Sequence, residues 1–308
     1  MDGTFDYLIV GAGSSGSVLA ERLSAAGRKV LVLEAGGSDR RFFVQMPLGY
    51  GKLFYDRRVN WGYRTEPDPG LNGQQDYWPR GKVLGGSSSI NAMVWIRGDA
   101  SDYDDWQAAT GSSAWGWEAA RAAYRAIEDN ADGADEFRGQ GGPLYIRSGQ
   151  DPAHPLVAPF LASCEAAGLP RNADFNGAKQ EGAGLYQLTI KGGRRNSTAR
   201  AFLRPALKTG RVALRTGAHV ARVLMDGKRA IGVEYQWKGA FHRAMAGEVI
   251  LSGGAINTPQ VLMLSGIGPA AALQAQGIEV VLDQPNVGAH LNDHQGINYT
   301  YRMRVPTM

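Results

Sequence analysis

Cysteine is almost missing from the chain: Cys164 stands alone among 308 residues. One thiol can close no intrachain disulfide and build no multi-thiolate metal site, and no metal centre is expected. Its place three and four residues after Leu161 and Phe160 predicts buried packing on a helix face, and sparse thiol use suits a reducing, cytoplasmic setting. Long apolar runs are missing as well. None approaches the ~18 residues that a membrane span needs, and Met1 leads so directly into the first apolar run that no secretory leader is expected. Charge of one sign is nowhere concentrated. Lys and Arg total 33 against 29 Asp and Glu, a net +4, and the basic residues come in pairs (Arg40-Arg41, Arg194-Arg195) rather than patches. A nucleic-acid surface is therefore not indicated.

What the chain has in excess is glycine, 42 residues, about twice the usual share of ~7%. The first 35 residues show what they are for. Phe5–Val10 is an apolar run, Gly11-Ala12-Gly13-Ser14-Ser15-Gly16 follows, Ser17–Leu23 has helical spacing, and Val30–Leu33 is a second apolar run ending in Glu34-Ala35. Strand, glycine turn, helix, strand and acid form the dinucleotide-binding fingerprint in its required context. Gly11 permits the turn out of the strand, Gly13 lets backbone approach a pyrophosphate, and Gly16 lets the helix pack on the strand. The helix N-terminus offers free N–H groups to phosphate. Glu34 is placed to accept hydrogen bonds from a ribose diol and disfavours a 2′-phosphate.

Residues 38–80 read as a long excursion, irregular over Arg40–Tyr50 and rich in turn formers over 65–73. Trp61, Tyr63, Tyr77 and Trp78 give it apolar mass, enough to wall a planar ligand or to anchor the loop on the core; the sequence leaves both open. In Arg80–Gly98, Gly85-Gly86 and the serines Ser87-Ser88-Ser89 can present consecutive N–H and hydroxyl donors to phosphate or a polar ring edge, and Ile90–Ile96 is mostly apolar. Residues 102–130 read as helices with Trp106, Trp115, Trp117, Tyr124 and Ile127 inward. Leu144–Ile146 is a short strand, Pro155–Gly168 a helix, and Gly184–Ile190 a half-buried strand. Ser197 or Thr198 is expected to cap a helix over 194–203. A set of strands follows over 211–246 with a hairpin at Asp226-Gly227, then a buried strand Glu248–Ser252. A helix Thr258–Leu264 is expected with Pro259 near its first position. Tyr299–Met308 alternates like a strand that stops, as in a fragment.

Four separated stretches, GAGSSG (11–16) with Glu34, GKVLGGSSSINAMVWIRG (81–98), GGAINTPQVLMLSGIG (253–268) and VGAHLNDH (287–294), together resemble the GMC (glucose–methanol–choline) flavin oxidoreductases. The resemblance runs through the whole chain in order. It implies an α/β fold: a Rossmann-like FAD-binding domain, discontinuous over 1–142 and 200–296, with a truncated part of an α+β substrate-binding domain over 143–199 and 297–308. It implies FAD, not NAD. Gly11, Gly13, Ser14, Ser15 and Gly16 would take the pyrophosphate, Glu34 and Ala35 the adenosine ribose side, and Val220 the adenine. Val83, Gly85, Gly86, Ser87 and then Asn91, Ala92, Met93 and Val94 would run beside the flavin ring, with Gly253-Gly254 and the Val287–Asp293 turn completing the cradle.

Some members resembled here tether flavin through a histidine just before the equivalent of Asn91. Ile90 stands there, so non-covalent FAD is expected. The chain is also short for the family, whose catalytic histidine lies near the C-terminus. His154, His219, His242, His290 and His294 do not sit in that motif, so the base is expected beyond Met308. Packing or hydrogen bonding is the expected role of His219 and His294. The activity implied is oxidation of a small alcohol, with oxygen or another acceptor taking the electrons and little turnover from this chain alone. A hydroxynitrile lyase on the same scaffold, or a flavoprotein fragment completed by another chain, are the alternatives.

Overall fold

The computed structural model describes residues 5–148, 154–294, 296–302 and 304. The chain divides into two compact units, Met1–Met93 with Thr189–Ala289, and Val94–Leu188 with His290–Met308. Packing thus groups residues 94–142 with the second unit, whereas the family resemblance implies a boundary at 142/143.

The first unit is built on a six-stranded sheet. Strand β1 (Phe5–Val10) leads into helix α1 (Ser14–Ala25) and back to β2 (Val30–Glu34). The sheet is completed by β3 (Val212–Thr216), β4 (His219–Asp226), β5 (Arg229–Trp237) and β6 (Ala240–Leu251). The order is β3-β2-β1-β6-β5-β4. β3, β2, β1 and the second half of β6 are parallel, with Tyr7 opposite Val30 and Val10 opposite Leu251, while β5 pairs antiparallel with the first half of β6 and β4 pairs antiparallel with β5. The sequence predicts an antiparallel piece and a separate buried strand over β6. It is one twelve-residue strand, half-buried over Val249–Leu251.

Parallel strands covered on both faces read as continuous apolar runs, and alternation sorts their side chains. Leu8, Val10, Leu31 and Leu33 join Val220, Val223, Val233, Tyr235 and Val261 on one face. Ile9, Val30 and Val32 join Ala20, Leu203, Ala206 and Val212 on the other. The chain runs outward from β1 to β2 to β3, then returns to the other side of β1 as β6. That reversal is the switch point where open α/β sheets bind ligands beyond the strand ends.

Several local expectations are corrected. Arg40–Tyr50 is not irregular: it forms a short helix, Phe42–Gln45, and a 3-10 turn, Pro47–Gly49, before a further turn at Tyr50–Leu53. Thr198 sits at the start of a π-helical turn (Ala199–Leu203) but caps nothing with its side chain; its hydroxyl meets that of Ser88 at 2.9 Å. Residues 184–190 carry only the two-residue strands Gln187–Leu188 and, at their end, Ile190–Lys191. Residues 299–302 form no strand, and the rest of the expected terminal strand, apart from Arg304, lies outside the described residues.

The second unit has an ionic centre. Glu128 is fully buried between two buried arginines, 2.7 Å from Arg97 Nη2 and 3.1 Å from Arg138 Nε. The Trp95 indole and the Gly139 N–H also donate to its carboxylate. Arg138 reaches on to Asp174 and Gln187, and the Arg97 guanidinium lies over the Tyr124 ring. Desolvation raises the Glu128 pKa, yet the attraction and hydrogen bonds of Arg138 and Arg97 outweigh it and leave it below the ordinary value. Tryptophans expected inward lie outside this centre: Trp106 and Trp115 are 52% and 54% exposed and stack edge-on, while Tyr103 takes the buried place. Cys164 is only half-buried, on a helix (Val157–Ala166) with no buried residue.

Candidate functional site

The site forms where β1 and β6 end. Gly11 leaves β1 at φ +97°, and a Cβ there would stand 2.5 Å from the Ser252 carbonyl oxygen at the end of β6. A Cβ on Gly16 would overlap the Gly11 carbonyl oxygen, so α1 packs against the turn only because that position is bare. Gly13 faces Gly86, whose own Cβ would lie 2.8 Å from the Gly13 Cα. The Gly85 N–H donates to Ala12 O at 2.8 Å. The two glycine turns, some 70 residues apart in sequence, are therefore laid against each other, backbone to backbone.

A second helix, α2, begins at Gly254 and runs to Leu264. The helix expected from the sequence starts at Thr258 with Pro259 in its first turn. Pro259 lies instead inside the helix, and the true first turn is Gly254-Ala255-Ile256-Asn257. Neither α1, capped by Gly13, nor α2, capped by Gly253, has a side-chain cap. Gly13, Ser14, Ser15, Gly253, Gly254 and Ala255 line a single cavity of about 390 Å³. Two helix N-termini, with first-turn N–H groups unclaimed by any capping side chain, converge on one space. That arrangement favours an anion.

Glu34 lines the same cavity. It is 6% exposed, with Oε2 accepting from the Ala12 N–H and Oε1 from the Gly36 N–H, both at 2.8 Å. Each oxygen keeps a further lone pair. Burial pushes its pKa up, against the lowering pull of the two backbone donors and of Lys82. Ala35 and Val220 stand beside it on the cavity wall.

An aromatic wall completes the cavity. Trp61 stacks on Tyr63 at 5.9 Å and 9° between planes, and lies 5.6 Å from the His219 ring. Lys82 Nζ caps the Trp61 ring at 4.4 Å. The Tyr63 hydroxyl donates to Asn257 Oδ1 at 2.5 Å, and burial raises its pKa. Desolvation, and then the Lys82 charge, hold His219 below the usual histidine value. His219 is therefore a ring in the cavity wall, beyond the packing role expected of it. Of the four rings that the sequence left either walling a ligand or anchoring the loop, Trp61 and Tyr63 line the cavity and Tyr77 and Trp78 do not, and Tyr63 also anchors the loop through Asn257.

Of the sequence-predicted site residues, Gly11, Gly13, Ser14, Ser15, Glu34, Ala35, Gly86, Ser87, Val220 and Gly253 line the cavity. Gly16 and Gly85 support it from behind. Val83 and Ile90 are buried in a small core with Val44, Leu53 and Val59. Asn91, Ala92 and Met93 belong to the same unit but lie off the cavity wall, and Val94 belongs to the second unit. The run of three serine hydroxyls is not presented as expected. Ser88 and Ser89 donate inward to Gly85 O and Leu84 O, each at 2.6 Å, and of the three only Ser87 reaches the cavity. Asn257 and Gln260 on α2 also line the cavity without having been expected to; Asn257 falls in the first turn, which the expected helix start at Thr258 leaves out.

The comparisons with known proteins bear directly on this geometry. The GMC oxidoreductase family model matches residues 5–296. The chain belongs to the GMC oxidoreductase family. It is 43% identical to an oxygen-dependent choline dehydrogenase of Photobacterium profundum over 99% of its own length, and 46% identical to an alcohol dehydrogenase [acceptor] of Pseudomonas putida over 95%. It spans 54% of each of those two proteins, about half the length of the curated relatives it matches. Among solved structures, pyridoxine 4-oxidase from Mesorbium loti superposes with a TM-score of 0.88 at 35% identity, covering 92% of this chain and 56% of that one. A formate oxidase of Aspergillus oryzae superposes at 0.84 with 27% identity, covering 93% and 52%. The α/β, Rossmann-like fold expected from the sequence is the fold of these GMC relatives. No helix among the described residues is long and apolar enough to cross a membrane.

Proposed function

We propose that this chain is the FAD-holding part of a GMC oxidoreductase that oxidises an alcohol, with FAD bound without a covalent tether. The observation that carries the reading is the convergence of two uncapped helix N-termini and a buried carboxylate on one glycine-lined cavity at the sheet's switch point. The residues fit the group. Gly13 and Gly86 let the two glycine turns lie backbone to backbone at the cavity wall, the first turns of α1 and α2 receive the pyrophosphate, and Glu34 retains acceptor sites for a ribose diol. Val220, Trp61 and His219 offer flat surfaces for adenine. The cavity accounts for the nucleotide half of the ligand; Asn91, Ala92, Met93 and Val94 are proposed for the ring half on the strength of family resemblance. Ile90, 2% exposed in its aliphatic core, supports the absence of a tether.

When bound, FAD supplies a two-electron acceptor that takes a hydride from the carbinol carbon while the hydroxyl proton leaves to a base, so that alcohol becomes carbonyl. This chain's part is to hold the nucleotide, orient it and keep water from the pyrophosphate. The base is proposed to lie in sequence beyond Met308, with oxygen or another acceptor receiving the electrons and the cytoplasm as the site of action. The named relatives support a small alcohol, choline among the candidates.

Purified chain incubated with excess FAD and desalted should retain a visible flavin spectrum with quenched fluorescence, and acid precipitation should release all of the flavin. A colourless protein refutes the reading, and flavin that stays with the precipitate refutes the non-covalent part. A chain that retains FMN as tightly as FAD refutes the role assigned to Glu34.

A further inference from the structure

Arg195 lies in the two-residue strand Arg194–Arg195 with its side chain turned inward, and it is 1% exposed. Its Nε donates to Val44 O at 2.9 Å. Its Nη1 donates to Ser88 O at 3.2 Å, Asn91 O at 2.7 Å and Asn91 Oδ1 at 2.8 Å. Its Nη2 is enclosed without a hydrogen-bond partner. Among the described residues no carboxylate pairs with it, in contrast to Arg97 and Arg138, which share Glu128. Desolvation alone pulls its pKa down, to about 10, so it stays charged at neutral pH. A buried cation without a counter-ion is costly, and a neutral amide donor would satisfy some of the same carbonyls at lower cost.

What the guanidinium holds is unusual. Three of its four bonds end on Ser88 and Asn91. The Asn91 Oδ1 that accepts from Arg195 also accepts from the Met93 N–H at 3.0 Å. Met93 is a buried non-glycine residue at φ +63°, a conformation that persists only where its surroundings enforce it. Thr189 fixes the same residue from the other side, donating to Met93 O through N–H at 2.9 Å and through its hydroxyl at 3.2 Å. The turn so held begins at the cavity wall, at Gly86 and Ser87.

We infer that Arg195 is a positioning residue that locks the Ser88–Met93 turn and gives it an unneutralised positive charge, which raises the reduction potential of a flavin ring lying along that turn. The inference rests on the FAD reading above and assigns this residue a role in tuning, apart from nucleotide binding. The expected size is about a tenfold change in the ratio of reduced to oxidised flavin at a fixed potential, the effect of one unit charge acting across about 12 Å at an effective dielectric of about 20. For a two-electron couple that is about 30 mV.

The test equilibrates FAD-loaded chain with redox-indicator dyes and compares wild type, Arg195→Met and Arg195→Lys. Arg195→Met should lower the reduced-to-oxidised ratio about tenfold, while Arg195→Lys, which keeps the charge but not the fork, should stay within twofold of wild type and melt earlier. A residue that only braces the turn would lower the melting temperature in both variants and leave the ratio unmoved, which overturns the inference. A drop as large in Arg195→Lys as in Arg195→Met overturns it equally. If Arg195→Met fails to fold by circular dichroism, Asn91→Asp takes its place, setting a carboxylate against the guanidinium while keeping both acceptor contacts. An unchanged ratio there refutes the charge effect. Wild-type chain that takes up no FAD removes the underlying reading and this inference with it; FAD uptake with an unmoved ratio removes only the inference.

Discussion

Glu34→Gln separates the cavity's two demands on one carboxylate. In the native chain both oxygens accept backbone N–H groups, from Ala12 and Gly36, and Glu34 lines the cavity. The amide keeps one acceptor oxygen and turns an NH₂ group toward one of those two N–H donors. It therefore loses a charge-assisted bond to the ribose, worth about 1.5–3 kcal/mol when the partner is buried. At 1.4 kcal/mol per tenfold, the Kd for FAD should rise about 10- to 100-fold. Flavin-fluorescence titration at pH 7.5 measures this, with FMN as the internal control: FMN lacks the adenosine ribose, so its affinity should not respond. The pH dependence gives a second check. Glu34's pKa is raised above its ordinary 4.5 by burial. In the ligand-free chain its contribution to stability is therefore full below pH 4.5 and is lost as pH rises through the folded value. FAD affinity runs the other way, because the diol needs the carboxylate: wild-type affinity should fall on acidification while the pH is still above 4.5, and Glu34→Gln should be flat over that interval. A Kd that changes less than threefold in Glu34→Gln, or an equal loss for FMN, refutes the reasoning.

Gly86→Ala places a Cβ 2.8 Å from the Gly13 Cα at φ +53°, so FAD retention should fall at least about tenfold; Gly37→Ala, where nothing lies within 4 Å, should leave binding unchanged, and equal losses would count against a close-approach site. Gly227→Ala, in the β4–β5 hairpin at φ +55° with open space around it, should cost about 1–2 kcal/mol in chemical denaturation without altering FAD affinity. Glu128→Gln leaves Arg97 and Arg138 buried without their carboxylate and should cost about 3–5 kcal/mol in the unfolding of the second unit. Because the folded Glu128 pKa is lowered, its contribution is present above pH 4.5 and is lost as pH falls through the folded value; acid sensitivity that persists undiminished in Glu128→Gln would assign it to other groups.

The strands and turns of the first unit were legible because the demands that shape them are local. A parallel strand covered on both faces must be apolar throughout, as Val30–Leu33 is, and a chain leaving such a strand at positive φ needs glycine at that residue, as at Gly11. The misread helix start shows where local signals compete. Proline is favoured in a first turn, and that preference drew the start to Thr258; but Pro259 is tolerated five residues in, and the first turn belongs to Gly254–Asn257, which cups the cavity. Trp106 and Trp115 misled for a related reason. Their bulk predicts burial, yet each covers the other, and the interior of that unit went to charges.

Charge pairing is where sequence reading reaches its limit, because its partners carry no periodic mark. Arg97, Glu128, Arg138 and Asp174 are scattered over 78 residues, each resembling a solvated surface residue, and only the fold reveals that three of them are buried together. Arg194-Arg195 makes the same point within one dipeptide. Alternation along a strand sends Arg194 outward to solvent and Arg195 into the interior, a difference that the residue type cannot encode. Whether a buried arginine is neutralised decides what it can do: shared with Glu128, the charges of Arg97 and Arg138 are spent on holding one unit together. Left against carbonyls alone, the charge of Arg195 still acts on whatever ring comes to lie along Ser88–Met93, and a measured potential tells the two kinds of buried arginine apart where their burial does not.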